Sequence, residues 1–317
     1  MRISSLVLLL CLFVSFKGMA QKPFTREAGI YTDNDAYVNL FNDGYYTNGF
    51  TFFYKYLSKE TEPIFPKKII EWNFGVKMYT PENGEAPTIP EQDRPFAGYL
   101  FGNAIINYFY ENESYLKLEA SLGIIGPSSG GGKIQEKFHR FFGIYEVNGW
   151  EYQIHNMLAL NANLFYSKKL VRVCGGRVDF NAIADVNLGT VETNLGFGLM
   201  NRFSIYPANK IYRSGIYGGL IDHQPLKKSL RVPEFFIFFK PMVYFRAYDA
   251  TIQGSMFNDD SPVTFDIEPV LYAIETGIIF QLYRINIKYA VTFNGVEVLN
   301  DKVYGQTYGT INISYIF

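Results

Sequence analysis

Strict two-residue alternation dominates this chain. In its last segment Ile311, Ile313, Tyr315 and Phe317 fall on one face, with Thr310, Asn312 and Ser314 on the other. That is the pattern of a strand with one apolar and one polar side. Leu116, Leu118, Ala120, Leu122 and Ile124 alternate in the same way with Tyr115, Lys117, Glu119 and Ser121, and Ile285, Ile287, Tyr289, Val291 and Phe293 with Asn286, Lys288, Ala290 and Thr292. Followed through the chain, the alternation predicts strands near 27–35, 45–58, 68–80, 96–111, 113–126, 149–166, 171–186, 191–204, 232–250, 264–281, 283–294 and 305–317. Turn-forming stretches separate them, among them Pro81-Glu82-Asn83-Gly84, Asn112-Glu113 and Asn258-Asp259-Asp260-Ser261-Pro262.

Twelve is an even number, as bacterial membrane barrels usually have. Several strands exceed the roughly 9–11 residues that a tilted strand needs to cross a bilayer, so hairpins should project beyond it. One segment breaks the period. After the flexible run Ser128-Ser129-Gly130-Gly131-Gly132, the residues Ile134, Phe138, Phe141 and Phe142 recur at helical spacing. They predict a short amphipathic helix near 133–143, with Gln135 and His139 sharing the neighbouring polar side. In a barrel such a helix must sit in a loop, capping the mouth or lying against the outer wall.

Composition narrows the class. Aromatic residues make up 18% of the chain, with 29 Phe and 25 Tyr but only 2 Trp. Mean hydropathy is −0.02, and no stretch after Ala20 is apolar and long enough for a membrane helix. A transmembrane antiparallel β-barrel accounts for both facts, because its lipid face is apolar and aromatic while its lumen is polar. A soluble all-β sandwich would share the alternation. The many long strands with Tyr and Phe on their apolar face count against it, and closure removes the edges that no lipid-exposed sheet tolerates. The terminal strand ending on Phe317 resembles the closing signature of outer-membrane proteins.

Residues 1–20 begin with Arg2, run apolar from Leu6 to Phe16 and end in Gly18-Met19-Ala20, which reads as a secretory signal peptide cleaved after Ala20. Lipid attachment at Cys11 fits poorly, since Cys11 lies inside the apolar run. The expected organisation is a signal peptide, 1–20, and one barrel domain, 21–317, in the bacterial outer membrane. Cys174 is the only cysteine after Ala20, so no internal disulfide is expected. The formal net charge of −1, without clustered Lys and Arg, excludes a nucleic-acid partner. The expected state is a monomer.

Four features carry candidate chemistry. Imidazole is the side chain suited to proton transfer near neutrality, and the chain has only His139, His155 and His223. His139, on the helix beside Gln135 and an apolar stripe, is placed best to serve an acyl substrate, although helix position alone reads more simply as a surface histidine. Thr32-Asp33-Asn34-Asp35 gathers oxygen donors of the kind that suit calcium. Asp33 and Asp35 can share a strand face while Asn34 needs a bend to join them, and a polar turn at a barrel rim explains the cluster equally well. Tyr45-Tyr46-Thr47-Asn48-Gly49 and Asp93-Arg94-Pro95-Phe96-Ala97-Gly98-Tyr99 each read alone as strand starts with girdle tyrosines.

Taken in order, however, Asn34-Asp35, Tyr46-Thr47-Asn48-Gly49, Asp93-Arg94-Pro95-Phe96, Ile125-Gly126-Pro127, Gln135 with His139, and Trp150 with Gln153 resemble the outer-membrane lipid A 3'-O-deacylase family, most densely over residues 30–155. The resemblance implies a twelve-stranded, calcium-dependent barrel that removes the 3'-linked acyloxyacyl group of lipid A in the outer leaflet. It implies His139 as general base, Asn34, Asp35, Thr47 and Gln135 in the site, and a calcium ion held partly by Asp35, to which the oxygen cluster adds Asp33 as a candidate ligand. A lysine expected after Pro81 has no counterpart between Glu82 and Glu91; either Arg94 takes part of its substrate contact or the substrate preference differs. No G-x-S-x-G elbow suggests a serine nucleophile. The rival readings are a phospholipase-like barrel and a non-enzymatic channel or structural barrel.

Overall fold

A computed structural model describes residues 23–38, 44–59, 67–82, 84–143, 147–223, 233–258, 260–300 and 305–317, apart from the side chains of Thr47 and Phe142. The proposed signal peptide lies outside the described residues. Twelve antiparallel strands close into one barrel: β1 Arg26–Asn34, β2 Tyr45–Leu57, β3 Lys67–Thr80, β4 Ala97–Phe109, β5 Ser114–Ile125, β6 Met157–Val173, β7 Val178–Gly189, β8 Glu192–Ser204, β9 Glu234–Asp249, β10 Val270–Leu282, β11 Ile285–Asn294 and β12 Gln306–Ile316. Each pairs with its neighbours in sequence, and β1 meets β12 from Glu27↔Ile316 to Asn34↔Gly309. One longer helix, α1, spans Gly131–Phe142 between β5 and β6.

The alternation maps onto the two faces of the wall as expected. Phe52, Trp72, Phe74, Leu122, Tyr272 and Ile313 are exposed on the outside, which is the surface a hydrocarbon layer would cover. Asn107, Asn286, Asn312 and Ser314 are buried on the inside.

The largest departure lies around β6. The expected strand 149–166 starts only at Met157 and runs on to Val173, so β7 also begins later than expected. Trp150–Tyr152 form instead a short 3-10 turn beside α1. Ser167-Lys168-Lys169 fall between the two expected strands, but Ser167 is buried in the lumen, where the Tyr217 hydroxyl donates to it at 3.0 Å, and Lys169 pairs with Glu113. The chain turns further on, at Cys174, Gly175 and Gly176, which all hold positive φ. The polar run is therefore lumenal strand. Similarly, the expected strand from 264 begins at Val270.

Short turns at 110–113, 174–177 and 283–284 gather at the end where β1 begins and β12 finishes, the periplasmic end in outer-membrane barrels. At that end residues 211–222 fold back into the lumen. The Lys67 ammonium donates to the carbonyls of Tyr212 and Gly219 at 2.6 and 3.0 Å and pairs with Asp222 at 3.3 Å. Tyr217 stacks on Tyr115 with ring centres 4.4 Å apart. Ile211 and Ile221 are fully buried with Leu57, Ile69 and Phe109.

The hairpin residue Glu113 anchors this plug. Its carboxylate accepts the Ile211 N–H at 3.2 Å and holds Arg172 at 2.6 Å and Lys169. Burial pushes its pKa up, but the Lys169 hydrogen bond and the Arg172 charge outweigh that and hold it below the ordinary carboxylate range. A carboxyl whose folded pKa is depressed stabilises the fold above its unfolded pKa, and that contribution disappears as pH falls through the folded value. Acidification below the ordinary carboxylate range should therefore loosen residues 211–221, and Glu113→Gln should weaken them already at neutral pH and flatten the acid dependence. Hydrogen exchange of those amides against pH checks this, and an identical acid limb in both proteins would remove Glu113 from the role.

Candidate functional site

The site begins on the outer wall at the loop end of β1 to β4. Strand register places Asn34 opposite Asn48, Asn48 opposite Met78 and Met78 opposite Gly98. Lys77 and Tyr79 line the lumen, so Met78 and its row point outward. A β-bulge falls between Tyr46 and Asn48, at Thr47. The Asn34 and Asn48 amides bond to each other at 2.5 Å, two polar groups on a face otherwise given to Ile30, Phe50 and Phe52. β1 ends at Asn34 because the chain bends there into a 3-10 turn, Asp35–Tyr37, whose Ala36 N–H donates to the Asn34 side-chain oxygen at 2.7 Å. Asp35 is 3% exposed and accepts the Ala36 N–H at 2.8 Å and the Gly44 N–H at 2.7 Å.

α1 lies against the outside of β3 and β4. It can come close because two glycines meet there. A Cβ on Gly98 would stand 2.2 Å from the Ser129 hydroxyl and 3.1 Å from the Gly131 Cα, and one on Gly131 would stand 2.9 Å from the Gly98 Cα. The glycine run that looks like a flexible linker is thus the seat of the helix, which starts at Gly131 and not near Lys133. Gly131, Gln135 and His139, at four-residue spacing, form its barrel-facing side, and Gln135 and His139 are 0% and 3% exposed.

Gln135 is oriented by a neighbour. The Trp150 indole N–H donates to its Oε1 at 2.9 Å. Indole nitrogen can only donate, so the other end of the amide must be the Nε2 donor. That Nε2 is buried without a hydrogen-bond partner, and such an unmade bond costs on the order of 1–3 kcal/mol. A site that keeps a donor unpaired one helical turn from an imidazole is equipped to meet an oxygen that arrives with a ligand.

Two expected assignments change. Asp33 points inward, where its carboxylate accepts the Tyr46 hydroxyl and the Thr310 hydroxyl, each at 2.7 Å. It lines a lumenal cavity and does not stand beside Asp35. Arg94 is lumenal as well: it donates to Thr251 at 2.9 Å, lies 3.8 Å from Glu297 and stacks 4.5 Å over the Tyr79 ring. With the wall between it and α1, Arg94 ties loops across the mouth and does not face the helix. His155 sits on the loop before β6, 3.5 Å from Asp260, and His223 at the periplasmic end, 3.0 Å from the Ser58 carbonyl.

Asn48 was missed as a site residue. Its signal was legible, since it shares strand parity with Phe50, Phe52 and Tyr54 and is polar where they face lipid.

The groups that Asn34 and Asp35 could offer a metal are an amide and a carboxylate oxygen. Hard oxygen donors match calcium, so these two residues fit a share of such a shell. Among the described residues no group of three His, Cys, Asp or Glu gathers at one point. Carbonyls and water would have to supply the rest.

The family model for outer membrane protein LpxR matches residues 6–317. Among solved structures, LpxR from Salmonella typhimurium superposes with a TM-score of 0.74 at 20% identity, covering 92% of this chain and all of that one. The β domain of the Bordetella autotransporter BrkA reaches a TM-score of 0.45 at 9% identity, covering 93% of this chain and all of that one; it is a barrel too remote to carry an argument. No curated protein sequence matches the chain.

Proposed function

The chain belongs to the LpxR family of outer membrane proteins, and from that membership we propose that it hydrolyses the 3'-linked acyloxyacyl ester of lipid A on the outer wall of its barrel. The observation that carries the reading is the Gln135/His139 pair: an imidazole and an unpaired amide donor, both buried, held against the wall at the loop end. Ester hydrolysis needs a base for water and a donor for the oxyanion. His139 takes a proton as the water oxygen bonds to the ester carbonyl carbon, and the carbonyl π electrons move onto its oxygen. The Gln135 Nε2–H is in place to donate to that oxyanion. Collapse then breaks the bond to the sugar oxygen, which leaves with the proton held on His139. Asn34 and Thr47 belong to the same site. A calcium ion held in part by Asp35 would supply Lewis acidity toward the carbonyl.

The channel reading has less support. A channel wants an open lumen, whereas here residues 211–222 enter one end, and at the other Ile252, Ile267 and Val298 pack with Tyr45 while Asn300 donates to the Asp93 carbonyl at 2.6 Å.

Mass spectrometry of lipid A incubated with the purified barrel tests the proposal. The expected product has lost one acyloxyacyl unit from the 3' position, and a chelator should abolish its formation until calcium is restored. Intact lipid A alongside phospholipid that has lost a chain would favour the phospholipase-like reading and sink this one. Full activity in chelator would release Asp35 from metal binding.

A further inference from the structure

The outward row of wall residues that carries the site has a glycine on each side of its two asparagines. From Asn34 the register runs one way through Asn48 and Met78 to Gly98 on β4, and the other way to Gly309 on β12. Gly98 seats α1. Tyr308 lines the lumen, so parity turns Gly309 to the outer face, yet Gly309 is buried. The Asp35–Tyr37 turn covers it. A Cβ on Gly309 would stand 2.6 Å from the Tyr37 Cβ and 3.5 Å from the Tyr37 carbonyl carbon. Two polar contacts hold the turn down on the wall: the Tyr289 hydroxyl, on β11, donates to the Tyr37 carbonyl at 2.9 Å, and the Tyr37 and Thr32 hydroxyls lie 3.1 Å apart. Asn34 and Asn48 thus lie between two covers, each seated on a glycine.

Asp35 is the first residue of that turn, and strand pairing stops one residue before it, at Asn34. A single 3-10 turn has poor hydrogen-bond geometry of its own. Contacts with the wall must therefore fix it. The Asp35 carboxylate accepts the Ala36 N–H from within the turn, so its direction follows the turn wherever the turn is seated. We propose that Gly309, Tyr289 and Tyr37 are positioning residues, which seat the turn on β12 and β11 and so fix the Asp35 carboxylate for the cation. This rests on the reading of Asp35 as a calcium ligand and adds to it what holds that ligand in place. Partners that orient a metal ligand are typically worth about 10–100-fold in metal affinity. Tyr289 lies more than 250 residues from Asp35 in the chain, and only closure of β1 on β12 brings it near.

The test titrates calcium into the chelator-stripped barrel by calorimetry, for the parent and for Gly309→Val, Tyr289→Phe and Ile313→Ala. Gly309→Val drives a side chain into Tyr37, and Tyr289→Phe removes one hydroxyl from an outward position and leaves the wall apolar. Ile313, exposed on the same outer face of β12, is the control. Gly309→Val should raise the calcium Kd at least about tenfold, Tyr289→Phe should raise it less, and Ile313→Ala should match the parent. Turnover should show the same order in the calcium needed for half-maximal rate, with kcat at saturating calcium kept within about twofold. Rescue by excess metal is the readout that a merely unfolded or loosened barrel would not give. Parent-like calcium affinity in both Gly309→Val and Tyr289→Phe overturns the proposal, as does a fall in kcat that no calcium concentration restores. A parent that binds no calcium would instead overturn the metal reading of Asp35, and this proposal with it.

Discussion

His139→Ala should lower the rate of ester hydrolysis by about 10²–10⁴-fold, the usual share of a positioned general base, while the barrel still folds and inserts. His139 sits near the end of α1 on its buried side, where its backbone carbonyl accepts the Gly143 N–H. Truncating the ring removes the proton acceptor without touching a strand. The matched controls are His155→Ala and His223→Ala. The first is half exposed beside Asp260 and the second lies at the opposite end of the barrel, so both should retain full turnover. Retained activity in His139→Ala, with folding verified by the heat-dependent gel mobility of the barrel, would mean that another group activates the water.

Gly98→Val should cost nearly as much activity without altering any residue of the chemistry. The added side chain would collide with Ser129 and with the backbone of Gly131, and backbone cannot yield as a flexible side chain does. α1 must lift from the wall, carrying Gln135 and His139 with it, and a displacement of about 1 Å is enough to cost roughly 10²-fold. Strand pairing should survive, since Gly98 keeps its partner Met78 and its carbonyl keeps the Gly126 N–H at 2.9 Å. Gly102→Ala on the same strand is the control, because its Cβ meets nothing closer than 3.8 Å. The two variants are compared by turnover and by protease sensitivity of 131–143. If Gly98→Val cleaves substrate like the parent, close seating of the helix is not needed for catalysis.

The sequence by itself determined the wall. Period-two alternation assigned Ile311, Ile313, Tyr315 and Phe317 to one face and Asn312 and Ser314 to the other, and the barrel keeps that division. Side-chain direction in a strand follows parity alone, so the two faces and the outward polar residues were open to reading, while the count of twelve leaned on the family resemblance. The pairing of Gln135 with His139 was equally legible, since helical spacing places both on one side. What parity cannot say is where a strand stops when its lumenal side is polar, and the strand expected to end at 166 runs on through Ser167-Lys168-Lys169 to Val173. Nor can motif order say which side of a wall a residue serves. Asp33 and Asn34 are adjacent in the chain but lie on opposite faces, and Arg94 leaves the motif that names it to stack on Tyr79 inside. The seat of α1 on Gly98, the Trp150 contact that orients Gln135, and the plug tied to Lys67 all join residues far apart in sequence. Only closure of the sheet and the folding of its loops back onto the wall, outside for α1 and inside for the plug, bring them together, because those contacts depend on which buried polar groups can be satisfied in three dimensions.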